Sequence, residues 1–203
     1  MITIVDYGLG NLASIKNMFK KIGENSIISA DTACIEKATK LVLPGVGNFK
    51  EGMKNITESG FLDILNKKVI NENIPVLGIC LGMQLMTQNS EEGDVEGLGW
   101  VNAKTFKFNF KNDLNIKIPH FGWNEVLTKG MNGLFSGFTT IPRFYFVHSY
   151  YVKCNESDLE TGITEYGIEF TSAFKKGNIY GVQFHPEKSH KYGMQLLKNF
   201  AEI

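Results

Sequence analysis

The chain has 203 residues, 43% of them hydrophobic and 21% charged, and its 21 basic residues balance its 21 acidic residues. That length allows one domain with a sizeable core, and the balanced charge provides no basic field for nucleic acid or for an anionic membrane. No apolar run is long enough to span a membrane, the N-terminus lacks signal-peptide features, and three scattered cysteines are typical of reduced thiols. We therefore expect one cytoplasmic domain over residues 1–203, with neither nucleic acid nor a membrane as partner.

Short apolar runs alternate with amphipathic segments in the first half of the chain. Buried strands are predicted at residues 2–5, 26–29, 41–43 and 75–79. Helices are predicted at residues 12–22, 58–72 and 81–88, the first of them capped by Asn11. This alternation is typical of a parallel sheet covered by helices on both faces.

The second half of the chain has a different pattern. Residues 100–110 alternate between apolar and polar, as in a strand with one solvated face. Further strands are predicted at 116–119, 142–148, 168–174 and 178–184, with a hairpin turn at 176–178 and a last helix at 189–201. We predict an α/β fold of three layers: a mostly parallel sheet flanked by helices, with an antiparallel β extension.

Cys80 lies in Gly78-Ile79-Cys80-Leu81-Gly82, between a predicted strand and a predicted helix. This is the nucleophile-elbow pattern with Cys in place of Ser, and its glycines let strand and helix approach closely. The N-terminus of the following helix would favour a thiolate, the reactive form of the side chain. A free cysteine can equally be a small core residue, and the pentapeptide alone leaves both interpretations open.

His185 ends a predicted strand, and Glu187 follows two positions later, on the same face of an extended backbone. Pro186 favours that extended conformation. Glu187 can then orient the ring of His185 while the other ring nitrogen serves a nucleophile, as in a catalytic triad. A surface ion pair is the simpler alternative. No ligand spacing joins His185 to the other three histidines, so we predict no metal site.

Pro44-Gly45-Val46-Gly47 follows the third predicted strand. Two glycines around one residue allow a peptide plane to turn, so the N–H of Val46 can join the N–H of Leu81 in an oxyanion hole. An ordinary turn would have the same composition. However, all three features lie at predicted strand ends, and functional sites of open α/β sheets collect at the carboxyl edge.

Taken together, these motifs resemble the triad-type glutamine amidotransferases. The resemblance covers the whole chain in the family's order, through residues 6–12, 43–47, 78–85, 119–124, 145–150 and 183–189. It implies a single glutamine amidotransferase type 1 domain that hydrolyses glutamine without a cofactor. Cys80 would attack the side-chain amide, with His185 as base and Glu187 orienting it.

The resemblance also assigns the remaining site residues. The oxyanion would be held by the N–H of Leu81 and, after a flip of residues 44–47, by that of Val46. The positions that match glutamine-binding residues of the family are Gly47, Gln84, Ser149 and Tyr150.

The finer motifs are similar to those of glutaminase subunits that form a heterodimer with a (β/α)8-barrel synthase. The ammonia would pass into the barrel, which makes imidazole glycerol phosphate and a purine-pathway carboxamide (AICAR) in histidine biosynthesis. The positions that match the partner interface are Asn11, Trp123, Tyr145 and Lys188.

Three alternatives remain. Departures from the expected pattern at Asn48, Lys50 and His190 leave room for a paralogue that supplies ammonia to a sugar-modifying enzyme. A catalytically silent binding subunit is disfavoured because the Cys, His and Glu are all present. A stand-alone cysteine peptidase or γ-glutamyl hydrolase would leave the partner-facing motifs unexplained.

Overall fold

The computed structural model describes residues 1–110, 116–130 and 133–203. The strands among them are β1 Ile2–Val5, β2 Ser26–Ser29, β3 Lys40–Leu43, β4 Val76–Ile79, β5 Asn89–Ser90, β6 Val95–Glu96, β7 Ala103–Lys107, β8 His120–Glu125, β9 Leu127–Thr128, β10 Arg143–His148, β11 Tyr150–Cys154, β12 Glu160–Glu165, β13 Glu169–Lys176 and β14 Ile179–Val182. The helices are α1 Leu12–Lys21, α2 Thr32–Glu36, α3 Phe49–Glu58, α4 Phe61–Asn66, α5 Leu81–Leu85 and α6 His190–Glu202. A π-helical turn at Lys67–Asn71 extends α4, and 3-10 turns lie at Gly133–Phe135 and Pro186–Lys188.

One large mixed sheet organises these elements. Five parallel strands stand side by side in the order β2, β1, β3, β4 and β14. Beyond β14 the sheet continues with β13, β11 and β7, each antiparallel to its neighbour. Strands β8 and β10 pair separately as an antiparallel ribbon. The predicted α/β class, with helices around the sheet and an antiparallel extension, is confirmed.

Helices cover the parallel strands on both faces, because successive side chains of a strand point to opposite sides. On β3, Val42 packs in a core with α1 and α6, whereas Leu41 and Leu43 pack in a second core with α3, α4 and α5. Burial on both faces explains why these strands are continuous apolar runs. The result is three layers, as the sequence indicated.

The helices of the first half differ from the sequence-based expectation. Helices α2 and α3 were not predicted, and the predicted helix at 58–72 begins only at Phe61. Gly60 separates α3 from α4 by adopting a left-handed conformation, with φ of 71°. Helix α5 is also shorter than expected, because the hydroxyl of Thr87 donates to the carbonyl of Gln84 just past its end. Asn11 occupies the N-cap position of α1, but its side chain makes no capping hydrogen bond.

In the second half, residues 116–119 are not a strand, and β8 begins at His120 instead. Pro119 has no N–H to donate to a ladder, which explains where the strand starts. Strands β11 and β12 were not predicted. The predicted hairpin turn is confirmed, since Lys176 pairs with Ile179 and Gly177 adopts φ of 57°. Within the described residues, no helix combines the length and apolar character needed to cross a bilayer.

Candidate active site

The predicted site residues meet at one edge of the parallel sheet. Strands β1, β3, β4 and β14 run in the same direction, so their carboxyl ends lie together. Tyr7 follows β1, residues 44–47 follow β3, Cys80 follows β4 and His185 follows β14. This edge is where ligand sites of open α/β sheets form.

Cys80 occupies a strained turn between β4 and α5. Its φ of 53° and ψ of −108° lie in a region that side-chain-bearing residues rarely adopt. A Cβ atom on Gly82 would lie 1.7 Å from the carbonyl oxygen of Leu43, so only glycine permits this approach of α5 to β3. The Cys80 side chain is thus fixed at the edge of the sheet, in the geometry that the elbow pattern predicts.

His185 and Glu187 form a buried pair beneath this edge. Nδ1 of His185 lies 2.7 Å from Oε1 of Glu187, and each side chain is only 1% exposed. Burial opposes charge on the ring, but the sulfur of Cys80 and the carboxylate of Glu187 outweigh it and raise the pKa of His185 to about 10. Among the described residues Nε2 has no hydrogen-bond partner, which leaves it free for proton transfer.

A pocket of about 300 Å³ opens in front of Cys80. It is lined by seven of the predicted site residues: Val46, Gly47, Cys80, Leu81, Gln84, Ser149 and Tyr150. The lining also includes Glu92, Pro119, Val147 and His148, which sequence reasoning did not assign. Among these, Glu92 supplies a carboxylate; one of its oxygens accepts from the N–H of Phe49 at 2.7 Å.

The two predicted oxyanion donors are not assembled. The N–H of Leu81 donates to the carbonyl of Gly45 at 3.3 Å, so it is already occupied. Val46 is 40% exposed. Gly47 next to it adopts φ of 120°, a conformation that favours glycine. The segment 44–47 therefore closes the hole that it was expected to form.

A chain of amides connects the pocket wall to the sulfur. Nε2 of Gln84 donates to the carbonyl of Tyr150 at 2.9 Å and to Oε1 of Gln183 at 3.1 Å. Nε2 of Gln183 in turn lies 3.7 Å from Sγ of Cys80. The side-chain amide of Gln84, which was expected to bind substrate, is therefore hydrogen-bonded to the wall of the pocket instead. Gln183 was not assigned from the sequence. The available signal was its position between the apolar residues Val182 and Phe184, because a polar side chain at a buried strand end needs a hydrogen-bond partner.

A buried histidine pair, also unassigned from the sequence, supports the same wall. His120 and His148 stand opposite each other in β8 and β10, with Nδ1 of His120 3.0 Å from Nε2 of His148. Nδ1 of His148 lies 2.7 Å from the carbonyl of Tyr150, which can only accept, so His148 donates there and accepts from His120. Nε2 of His120 is left to accept from Nδ2 of Asn124 at 3.3 Å.

Both rings of this pair are neutral in the folded chain. Burial lowers the pKa of His148 to about 3, with a further contribution from the charges of His120 and His185. Burial likewise lowers the pKa of His120 to about 4. Because each neutral ring has one N–H donor and one acceptor nitrogen, His120 can donate to His148 and His148 can donate to the carbonyl of Tyr150.

Three of the four predicted interface residues form a surface cluster. Trp123 and Tyr145 are opposite each other in β8 and β10, with ring centroids 6.2 Å apart, and Nζ of Lys188 lies 5.6 Å from the Tyr145 ring centroid. The ring of His190 stacks on Trp123 at 5.5 Å and 5°. Asn11 is exposed at the start of α1, and no hydrogen bond or ring contact of the described residues joins it to this cluster.

The strained cysteine, the buried His–Glu pair and the pocket are the groups that an acyl-transfer site on an α/β sheet would need. The model of the family described as glutamine amidotransferase class-I matches residues 3–203. The chain therefore belongs to the class-I glutamine amidotransferase family.

Within that family, several curated relatives are named as subunits of imidazole glycerol phosphate synthase. The chain is 58% identical to imidazole glycerol phosphate synthase subunit HisH 2 of Methanococcus maripaludis, over 100% of this chain and 99% of the relative. It is 45% identical to subunit HisH 2 of Pseudomonas aeruginosa and 46% identical to subunit HisH of Bdellovibrio bacteriovorus, over the full length of both chains in each case. The chain thus groups with the HisH subunits.

Solved structures agree on the fold. A crystal structure of a glutamine amidotransferase superposes with a TM-score of 0.76 at 17% identity, over 99% of this chain and 97% of the other. A glutamine amidotransferase from Thermotoga maritima gives a TM-score of 0.63 at 19% identity, over 99% and 82% of the two chains.

Proposed function

We propose that this chain is the glutaminase subunit of an imidazole glycerol phosphate synthase, which hydrolyses glutamine and delivers the ammonia to its synthase partner in histidine biosynthesis. The observation that carries the proposal is the convergence of Cys80 with the buried pair of His185 and Glu187 in a chain of this family. The family model matches residues 3–203, which supports treating residues 1–203 as one glutamine amidotransferase domain.

His185 acts as the base that takes the thiol proton of Cys80, and its raised pKa of about 10 favours the protonated form of the ring. The sulfur attacks the amide carbon of the glutamine side chain, and His185 gives its proton to the nitrogen that leaves as ammonia. Neutral His185 then takes a proton from water as the water attacks the thioester, which releases glutamate, and the ring returns a proton to the departing sulfur of Cys80. Glu187 holds the ring through Nδ1 throughout.

Glutamine is proposed to bind in the pocket in front of Cys80. Glu92 brings a negative charge into the lining, which favours the α-ammonium group of an amino acid. Gly47, Ser149 and Tyr150 offer backbone and hydroxyl groups around the rest of the substrate. Gln84 contributes by holding the carbonyl of Tyr150 in place.

Closure of the oxyanion hole explains how such an enzyme avoids wasting glutamine. The Gly45–Val46 peptide carries both the carbonyl that occupies Leu81 and the N–H that the hole lacks. Turning this one plane would free the N–H of Leu81 and present that of Val46. A missing oxyanion donor costs about 2.7–4 kcal/mol of transition-state stabilisation, or roughly 10²–10³ in rate, so the acceptor-bound partner must favour the open state by that order.

A (β/α)8-barrel synthase is the proposed partner, docked on the cluster of Trp123, Tyr145 and Lys188, with Asn11 nearby. A direct connection to the chemistry supports this choice, because the N–H of His185 donates to the carbonyl of Tyr145 at 2.9 Å. A displacement of the β10 backbone at Tyr145 would therefore shift His185 through this one hydrogen bond. The proposed compartment is the cytoplasm, which keeps a nucleophilic thiol reduced.

The test measures glutamine hydrolysis by the isolated chain and by its complex with the barrel synthase, with and without acceptor nucleotide. We expect slow turnover alone and turnover roughly 10²–10³ faster in the acceptor-bound complex, since one oxyanion donor is gained. Equal rates of hydrolysis under all conditions would contradict the proposed activation by the partner. If no condition released glutamate, the proposed glutaminase activity would be wrong.

A second candidate is a paralogous glutaminase that feeds a sugar-modifying amidotransferase. The relatives from Methanococcus maripaludis and Pseudomonas aeruginosa are both named subunit HisH 2. The number distinguishes them from another HisH subunit, which is the reason to consider a paralogue. The same assay discriminates the two, because only the true acceptor enzyme and its substrate will stimulate glutamine hydrolysis. Stimulation by a sugar-modifying enzyme, and not by the imidazole-forming synthase, would select the paralogue.

A further inference from the structure

Tyr7 is a buried tyrosine at the catalytic edge that the mechanism above does not use. It lies two residues after the end of β1, and its hydroxyl donates a hydrogen bond to the carbonyl of Pro44, the first residue of the segment that closes the oxyanion hole. Its ring packs in the same core as Leu43 and Leu81. Tyr7 thus joins β1 to the turn after β3 at the position where that turn begins.

The hydroxyl also lies against Gly45. A Cβ atom on Gly45 would be 2.5 Å from the Tyr7 oxygen and 2.7 Å from Cβ of Leu81, so Gly45 is enclosed between these two side chains. Burial, together with the charge of Cys80, raises the pKa of Tyr7 far above its usual range. The phenol therefore stays protonated and remains a hydrogen-bond donor to the carbonyl of Pro44.

Two successive carbonyls of the segment are consequently held in place. That of Pro44 accepts from Tyr7, and that of Gly45 accepts from the N–H of Leu81. The next N–H is that of Val46, the donor that the hole lacks. Rotation of the Gly45–Val46 peptide must break the hydrogen bond between the N–H of Leu81 and the carbonyl of Gly45. The hydrogen bond from Tyr7 restrains Pro44, the residue just before the rotating part.

We propose that Tyr7 is a positioning residue that holds the 44–47 segment closed and so keeps glutaminase turnover low until the partner acts. This role rests on the proposed function, because it concerns the same oxyanion hole. Removal of the hydroxyl leaves the buried carbonyl of Pro44 without its partner in the closed state, which shifts the equilibrium toward the open state.

The test is Tyr7→Phe, assayed for glutamine hydrolysis as the isolated chain and in the complex with acceptor bound. We expect the isolated chain to turn over roughly two- to twelve-fold faster than wild type, the factor for one net hydrogen bond of about 0.5–1.5 kcal/mol. The acceptor-stimulated kcat should change by less than about two-fold, so the stimulation ratio falls by a similar factor. Amide hydrogen exchange at Leu81 should become faster, which reports the loss of its bond to Gly45 independently of activity.

Tyr166→Phe is the matched control, because it removes another tyrosine-to-carbonyl hydrogen bond, from Tyr166 to Lys117 at 2.8 Å, outside the 44–47 segment. Its stimulation ratio should equal that of wild type. An unchanged ratio and unchanged Leu81 exchange in Tyr7→Phe would overturn the role of Tyr7, as would a chain that fails to fold or a parallel loss of both rates. A wild-type complex that shows no stimulation would instead reject the proposed function.

Discussion

At the scale of single residues, the site depends on groups whose surroundings set their charge. His185 is protonated because the Cys80 sulfur and Glu187 outweigh the cost of burying it. Cys154 is a buried thiol outside the pocket lining, and burial raises its pKa to about 12. The same side-chain type is therefore a candidate nucleophile in one place and inert in another.

Replacement of Cys80 by Ala should abolish glutamine-dependent synthesis by the complex and spare synthesis from added ammonia. The reason is that only the glutamine-dependent reaction needs the sulfur of Cys80, whereas the acceptor site is proposed to lie in the partner. Product formation from each nitrogen source measures this.

Cys154→Ala is the control for that variant, because Cys154 is buried in β11, away from the pocket lining. It should retain both activities. If the Cys80 variant still released glutamate from glutamine, the nucleophile would have to be another residue.

At the scale of elements, the ribbon of β8 and β10 carries Trp123 and Tyr145 of the proposed interface on one side and the histidine pair on the other. Trp123 and Tyr145 lie on its exposed side, and Phe121 is 68% exposed there. His120 and His148 are buried and connect to the carbonyl of Tyr150 at the pocket. One ribbon therefore reaches both the proposed partner surface and the wall of the glutamine pocket.

The histidine pair predicts acid sensitivity. Both pKa values are lowered in the folded chain, so below pH 6.5 the unfolded chain binds protons that the folded chain does not. The free energy of unfolding should therefore fall as pH decreases from 6.5 to 5, by up to about 1.4 kcal/mol per pH unit for each histidine. Urea unfolding at several pH values measures this slope.

His120→Asn should reduce that slope by about half, because one of two protons no longer takes part. His190→Asn is the control, since His190 is exposed to solvent in the folded chain, and its slope should match wild type. A wild-type stability that is constant between pH 6.5 and 5 would show that the pair is not held neutral.

At the scale of the whole molecule, the candidate site lies where two parts of the fold meet. The turns after β3 and β4 supply the proposed oxyanion segment and the candidate nucleophile, whereas β8, β10 and β11 supply the pocket wall and the proposed partner surface. They meet where His185, after β14, donates to the carbonyl of Tyr145 in β10. Partner binding is therefore expected to act through this junction.

Lys188→Ala should weaken stimulation by the partner and leave the unstimulated rate unchanged. Nζ of Lys188 lies over the Tyr145 ring, and an exposed contact of this kind is worth about 0.5–1 kcal/mol. We expect the stimulation ratio to fall roughly two- to five-fold, the factor corresponding to that energy. Glutaminase assays with and without partner give the ratio.

Lys191→Ala offers a matched control, since Nζ of Lys191 lies 5.1 Å from the Tyr192 ring centroid in a similar contact. Stimulation of this variant should equal that of wild type. If both lysine variants lost stimulation alike, the effect would come from surface charge and not from the Tyr145 contact.

Much of the site was predictable from the sequence because it depends on local geometry. Two glycines around Cys80 determine a tight turn. The contact between His185 and Glu187 was predicted as well, but the predicted extended backbone was wrong, because Pro186–Lys188 form a 3-10 turn. Helices α2 and α3 were missed, and the strand predicted at 116–119 was wrong, because weak local periodicity does not distinguish short elements. Residues 111–115 of the second half lie outside the described residues.

The sequence by itself determined the α/β class, the alternation of strands and helices, and the turn that presents Cys80, since each follows from short-range pattern and backbone preference. Only the tertiary structure decided that the Leu81 N–H is occupied by Gly45, that Tyr7 holds Pro44, and that His120 faces His148. Each of those contacts joins residues distant in the chain. Their pairing depends on strand order and register, which no local pattern encodes.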